Sequence, residues 1–85
     1  MHHWWVRLKL TKAARKHRIG VARIASVIST IEPTVGTRPS GEPEFSWAGP
    51  DDRGLELEII GVLVDIDGDP AMLIIHAMAT ALRRK

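Results

Sequence analysis

The stretch from Gly54 to Met78, GLELEIIGVLVDIDGDPAMLIIHAM, constrains the fold more than any other part of the chain. Two branched apolar runs flank a short acidic connection containing Asp67-Gly68, and Asp-Gly between strand-like runs predicts a β-hairpin. In the first run Leu55, Leu57, Ile59, Gly61 and Leu63 share one face. Glu56 and Glu58 open the other face before Ile60, Val62 and Val64 take it over. A strand that begins half-solvated and ends apolar on both sides suits the middle of a sheet. In the second run strict alternation places Leu73, Ile75 and Ala77 on one face and Met72, Ile74, His76 and Met78 on the other.

Upstream, Trp4 to Leu10 alternates, with Trp4, Val6, Leu8 and Leu10 against Trp5, Arg7 and Lys9. This predicts a half-buried strand with a basic outer side near a sheet edge. Thr11 is placed to cap a short helix over Lys12 to His17. Gly20 interrupts it, and Val21, Ile24, Ala25, Ile28 and Ile31 recur at helical spacing, predicting a second helix that Pro33 ends. Residues 33 to 43 carry three prolines and two glycines and read as a loop. Glu44 to Ala48 reads as a short strand with Phe45 and Trp47 on one face, and Gly49 to Gly54 as a turn. The expected fold is α+β in one domain, residues 1–85. An N-terminal strand and two short helices precede a three-stranded antiparallel β-meander, with the helices on one face of a small antiparallel sheet.

Eighty-five residues sit near the small end of what folds unaided, so a homodimer or an obligate partner is plausible. The chain has no cysteine, no apolar run of membrane-spanning length and no signal-peptide pattern, which points to a cytoplasmic location and to neither a membrane nor a disulfide framework. Net charge is only +2, but the signs are segregated. Seven cations from Arg7 to Arg23 precede the first acid, all acids fall between Glu32 and Asp69, and the chain closes Arg83-Arg84-Lys85. Such asymmetry suits a nucleic-acid surface or an acidic partner, and equally a solvated basic face.

No phosphate loop, nucleotide fingerprint, zinc pattern or serine elbow is present, and no cofactor is implied. Asp65, Asp67 and Asp69 have the spacing of a calcium loop. However, Pro70 stands where that loop needs glycine and His76 where it needs glutamate, so an acidic hairpin turn is the better reading and no metal is assigned. His17 lies among Arg15, Lys16 and Arg18, whose charges favour a neutral imidazole able to act as a base or hydrogen-bonding group, although on spacing alone one more polar residue on a basic helix is the better reading. His76, between Ile75 and Ala77, is by type either a satisfied structural histidine or, beside a basic helix, a proton-transfer group for cleavage of RNA by its own 2′-hydroxyl.

The run K-A-A-R-K-H-R-I-G (Lys12 to Gly20), followed by G-E-P-E-F (Gly41 to Phe45), W-A-G-P-D-D-R-G-L-E-L-E (Trp47 to Glu58) and I-I-H-A-M (Ile74 to Met78), resembles the small BrnT-like toxins of bacterial type II toxin–antitoxin systems, within the RelE-like group and in their actinobacterial form. The resemblance extends from Val6 to Arg84. It implies a metal-independent RNA endonuclease (an mRNA interferase), neutralised by a DNA-binding antitoxin, often of ribbon-helix-helix type, encoded nearby. On that reading Lys12, Arg15, Lys16, Arg18 and Arg84 bind RNA, and His17, His76, Arg53 and Arg83 are the catalytic candidates. The last strand departs from the family pattern, because Met78 stands where relatives carry arginine. That departure supports the alternative of a non-catalytic nucleic-acid- or protein-binding module of the same fold.

Overall fold

The computed structural model describes residues 7–83. Its elements in chain order are β1 (Arg7–Leu10), α1 (Val21–Thr30), β2 (Thr34–Thr37), β3 (Pro43–Pro50), β4 (Glu56–Ile66), β5 (Asp69–Ala79) and a 3₁₀ turn (Thr80–Arg83). The five strands form one sheet in the order β1-β5-β4-β3-β2. β2 to β5 make an antiparallel meander, and β1 adds in parallel to the outer side of β5, with Leu8 beside Met72 and Leu10 beside Ile74. The architecture is therefore α+β with one helix and a five-stranded mixed sheet. It corrects the expectation of two helices and a three-stranded meander. Trp4, Trp5 and Val6, expected to begin the first strand, lie outside the described residues.

Three local causes account for the differences. Lys12 to His17 forms an irregular turn instead of a helix. Thr11 does accept from the Ala14 N–H through its hydroxyl, as a capping residue would (3.1 Å). But like charges at Lys12, Arg15 and Lys16 oppose a helix too short to sustain itself, and Arg18 turns the chain out with φ 58°. Next, the segment expected to be a loop contains β2, whose four residues are all exposed and so show no alternation from which a strand could be read. Pairing with β3, not side-chain burial, makes it a strand: Thr34 lies opposite Ser46 and Thr37 opposite Pro43. Lastly, a parallel β1 requires the chain to cross the whole sheet through α1 before the meander returns to it.

α1 covers one face of the sheet. Its buried residues are Ile24, Val27 and Ile28, whereas Val21 is 52% exposed, so the apolar stripe is rotated from the expected one. The core joins these to Ala14, Ile19, Trp47, Leu57, Ile59, Met72, Ile74 and Ala77, with Leu8, Leu10 and Phe45 packed at its border. Phe45 and Trp47 stack with ring centroids 5.9 Å apart.

The central hairpin forms at the expected place. Ile66 pairs with Asp69 across Asp67 (φ 53°) and Gly68 (φ 88°), the two positive φ values that a two-residue primed turn requires. The Asp65 carboxylate accepts from the Gly68 N–H (2.7 Å), so it acts as a turn acceptor. β4 is the third of the five strands.

The alternation expected for β5 breaks at one residue. Ile60 pairs with His76, yet Gly61 pairs with Ile74, leaving Ile75 as the extra residue of a β-bulge. Met72 and Ile74 therefore share the helix side with Ala77, while His76 moves to the opposite face with Leu73 and Met78. Gly61 sits beside this irregularity on the helix side, where an added Cβ would lie 2.9 Å from Met72 Sδ and 3.2 Å from Ile74 Cδ1. Gly61→Val is expected to lower stability by about 1–3 kcal/mol through overpacking, read as a fall in the urea midpoint with an unchanged m-value. An unchanged midpoint would show that the core accommodates the branch.

Candidate functional site

β1 runs parallel to β5, so the chain leaves Leu10 at the level of Ile74 and enters the basic turn beside the distal half of β5. Thr11 fastens the turn there. Its N–H donates to the Ile74 carbonyl (3.0 Å), and its hydroxyl reaches the same carbonyl (3.2 Å). Ala14 and Ile19 are buried in the core, which leaves Lys12, Arg15, Lys16 and Arg18 exposed around these two anchors, with His17 half-buried. None of these four cations forms an ion pair among the described residues.

The β3–β4 loop lies at the same end of the sheet, because Pro50 pairs with Glu56. Asp51 organises it. Asp51 Oδ1 accepts from the N–H groups of Arg53 (2.8 Å) and Leu55 (3.0 Å), and the Asp51 N–H donates to the Leu55 carbonyl (2.9 Å). Gly54, at φ 84°, closes the loop by donating to the Asp51 carbonyl. Asp51 Oδ2 is buried, 3.8 Å from Arg23 Nε on the first turn of α1. This contact ties the loop carrying exposed Arg53 to the helix that follows the basic turn. Burial is the largest single influence on the Asp51 carboxyl and pushes it up. The two backbone N–H groups and the guanidiniums of Arg23 and Arg53 together outweigh it and hold the carboxyl below its ordinary 3.8.

His76 faces the side of the sheet that α1 does not cover. Its Nε2 lies 3.1 Å from Glu58 Oε1 on β4, both side chains being partly buried. A carboxylate only accepts, so Nε2 carries a proton in this contact, and in the neutral ring Nδ1 is then the acceptor. Beyond Glu58 the same face holds a groove of about 510 Å³ lined by Glu32, Thr34, Ser46, Ala48, Glu58 and Thr80. At the opposite end of the sheet are the acids Glu42, Asp65, Asp67 and Asp69. The Glu42 carboxyl is held below its ordinary 4.5 mainly by a hydrogen bond from the Ser40 hydroxyl.

The fold thus brings Lys12, Arg15, Lys16, Arg18 and Arg53 to one end of the sheet, with His76 two residues along β5 from the carbonyl that anchors the turn. Among the described residues no hydrogen bond or ion pair joins His17 to His76. Arg83 closes the 3₁₀ turn after β5, and Arg84 lies outside the described residues. Two polar residues escaped the sequence reading. Asp51 was legible in principle from the Pro-Asp-x-x-Gly pattern at Pro50 to Gly54, which favours a side-chain-closed turn. Glu58 was not, since only the bulge brings His76 to its face.

Comparison of the chain with family models, with curated proteins and with solved structures found no match. No helix among the described residues is long and apolar enough to cross a membrane.

Because folding depresses the Asp51 carboxyl, its stabilisation is complete above pH 3.8 and is lost as pH falls through the lower folded value. Asp51→Asn is expected to lower Tm by on the order of 5–10 °C at pH 7. The difference from wild type should shrink below pH 3.8, as thermal unfolding of both proteins across pH 2–7 will show. Subtracting the two profiles removes the parallel contribution of Glu42. A difference independent of pH would contradict the assignment.

Proposed function

We propose that the chain is a metal-independent RNA endonuclease, the toxin of a type II toxin–antitoxin pair acting on RNA in the cytoplasm. The observation that carries this reading is that Lys12, Arg15, Lys16 and Arg18, which form no ion pair among the described residues, follow the residue anchored to β5, the strand whose carboxylate-linked His76 faces away from α1. Exposed cations with no ion-pair partner among the described residues are available to phosphates, and they set binding that weakens with salt. In the proposed reaction His76 Nδ1 takes the proton of a ribose 2′-hydroxyl. The 2′-oxygen attacks the adjacent phosphorus, the bond to the 5′-oxygen breaks, and that oxygen takes a proton from solvent, to which His76 later returns the one it received. The products are a 2′,3′-cyclic phosphate and a 5′-hydroxyl, so neither water nor a metal is consumed. Glu58 orients the His76 ring and balances the imidazolium that forms. The cations of the turn, with Arg53 and the terminal Arg83 and Arg84, stabilise charge at phosphorus. A DNA-binding antitoxin encoded nearby would mask this basic end.

A second reading is favoured by the groove beside Glu58. Its two carboxylates, Glu32 and Glu58, repel phosphate, and the Glu58–His76 contact already satisfies one ring nitrogen. On that reading the pair is structural, and the chain is a non-catalytic module that binds nucleic acid or protein through its cations.

Purified protein incubated with single-stranded RNA and EDTA separates the two readings. The nuclease reading predicts fragments ending in cyclic phosphate, with His76→Ala slowing cleavage about 10²-fold or more while RNA affinity changes little. Lys12→Ala, Arg15→Ala and Lys16→Ala combined should weaken binding and flatten its dependence on salt. Intact RNA at concentrations where the protein binds it, or cleavage unaltered in His76→Ala, would contradict the proposal.

A further inference from the structure

β2 ends the sheet, and its free side differs from that of β1 at the other edge. β1 carries exposed Arg7 and Lys9, charges of the kind that discourage pairing with another strand. β2 reads Thr34-Val35-Gly36-Thr37, with no charge, proline or bulge, and every residue is exposed. Val35 is 58% exposed and is the most exposed of the large apolar residues described.

The backbone directions follow from the hairpin. Arg38 N–H donates to the Glu42 carbonyl (2.9 Å), so Arg38 points its amide towards β3. By alternation Gly36 and Thr34 do the same, while the N–H groups of Val35 and Thr37 and the carbonyls of Pro33, Val35 and Thr37 point away from the sheet.

We infer that this edge pairs with the same edge of a second copy of the chain, antiparallel about a two-fold axis at Val35, joining the two sheets. Such a pairing is isologous, so every contact occurs twice. Each Val35 exchanges both backbone hydrogen bonds with its counterpart, and each Thr37 N–H reaches the Pro33 carbonyl across the axis. Pro33 has no N–H to return, and the ladder ends there.

Two side-chain features select self-pairing over a strand of unrelated sequence. The two Val35 side chains meet on the helix side, covering each other and the exposed border of Phe45, which lies opposite Val35 in the β2–β3 ladder. One step beyond Pro33, Glu32 of one copy faces Arg38 of the other, and opposite charges at facing positions stabilise a pair of strands. Glu32 has no ion pair among the described residues. Arg38 holds Glu44 through one terminal nitrogen (3.2 Å), which leaves further guanidinium donors for a second carboxylate. The inference uses none of the residues assigned to RNA and stands or falls independently of that reading.

Sedimentation equilibrium of the full chain, over roughly a hundredfold range of concentration, measures the association. The expected mass tends to twice the 9.4 kDa of the chain as concentration rises. Val35→Lys brings two ammonium groups together at the axis, and Glu32→Lys sets lysine against Arg38. Each should raise the dimer dissociation constant about tenfold or more, because the symmetry doubles the mismatch. Glu32 is exposed and outside any element, so its variant tests the interface with the fold intact by circular dichroism. A wild-type chain that stays monomeric throughout the range overturns the inference. So does a dimer that neither substitution weakens.

Discussion

The β-bulge at Ile75 is the constraint on which the site depends. A two-residue turn at Asp67-Gly68 sets the register of β4 against β5, and an uninterrupted ladder from that turn would bring His76 opposite Ile59 on the helix side. There its ring would enter a dry core, where an unpaired imidazole is costly. The extra residue advances the register by one, so His76 falls opposite Ile60 and Ala77 takes the core position opposite Ile59. The small methyl fills the space under α1, while the imidazole reaches the face away from α1 and meets Glu58. One irregular residue therefore settles both the packing of the hairpin and the surroundings of its histidine.

Two polar anchors hold the remaining functional chain against this hairpin. Thr11 binds the Ile74 carbonyl just before the bulge, at the point where β1 ends and β5 loses its outer neighbour. Asp51 closes the β3–β4 loop and meets Arg23 of α1. Between them the basic turn is fixed at both ends: at its start through Thr11, and after it through the helix that Asp51 holds. Only Ala14 and Ile19 of the turn are buried. Its regular structure was given up to charge repulsion, yet its position is determined. That is the condition under which an irregular, cation-rich segment can serve as a binding surface.

What was legible in the sequence followed from burial and from turn chemistry. The central hairpin, the Asp67-Gly68 turn, the placing of Leu57 and Ile59, and a helix opening at Val21 all carry strong periodic or turn signals. The strands and turns without such a signal were misread. β2 buries nothing, so its residues look like a loop, and the parallel pairing of β1 rests on a contact with a strand more than sixty residues away. Helical spacing was correct in α1 but the stripe was not, because Val27 rather than Val21 faces the sheet. In the site, the cations of the turn could be named from the sequence, whereas the Glu58–His76 pair required the bulge, which no residue in the run Leu73 to Ala77 announces.

Charge and architecture then point the same way. Cations of the turn lie around the end of the sheet where β1 and β5 part, together with Asp51 and Asp52 of the β3–β4 loop, while Glu42, Asp65, Asp67 and Asp69 lie around the opposite hairpin turns. On the proposed reading, an RNA strand held at the basic end reaches His76 on the face away from α1. The most direct measurement is an amide and imidazole NMR titration with a short RNA carrying 2′-O-methyl groups, which binds but has no free 2′-hydroxyl to attack. The account predicts that shift changes concentrate on residues 12–18, on Arg53 and on the His76 ring. Changes confined elsewhere, or a His76 ring that does not respond while the basic turn does, would contradict it.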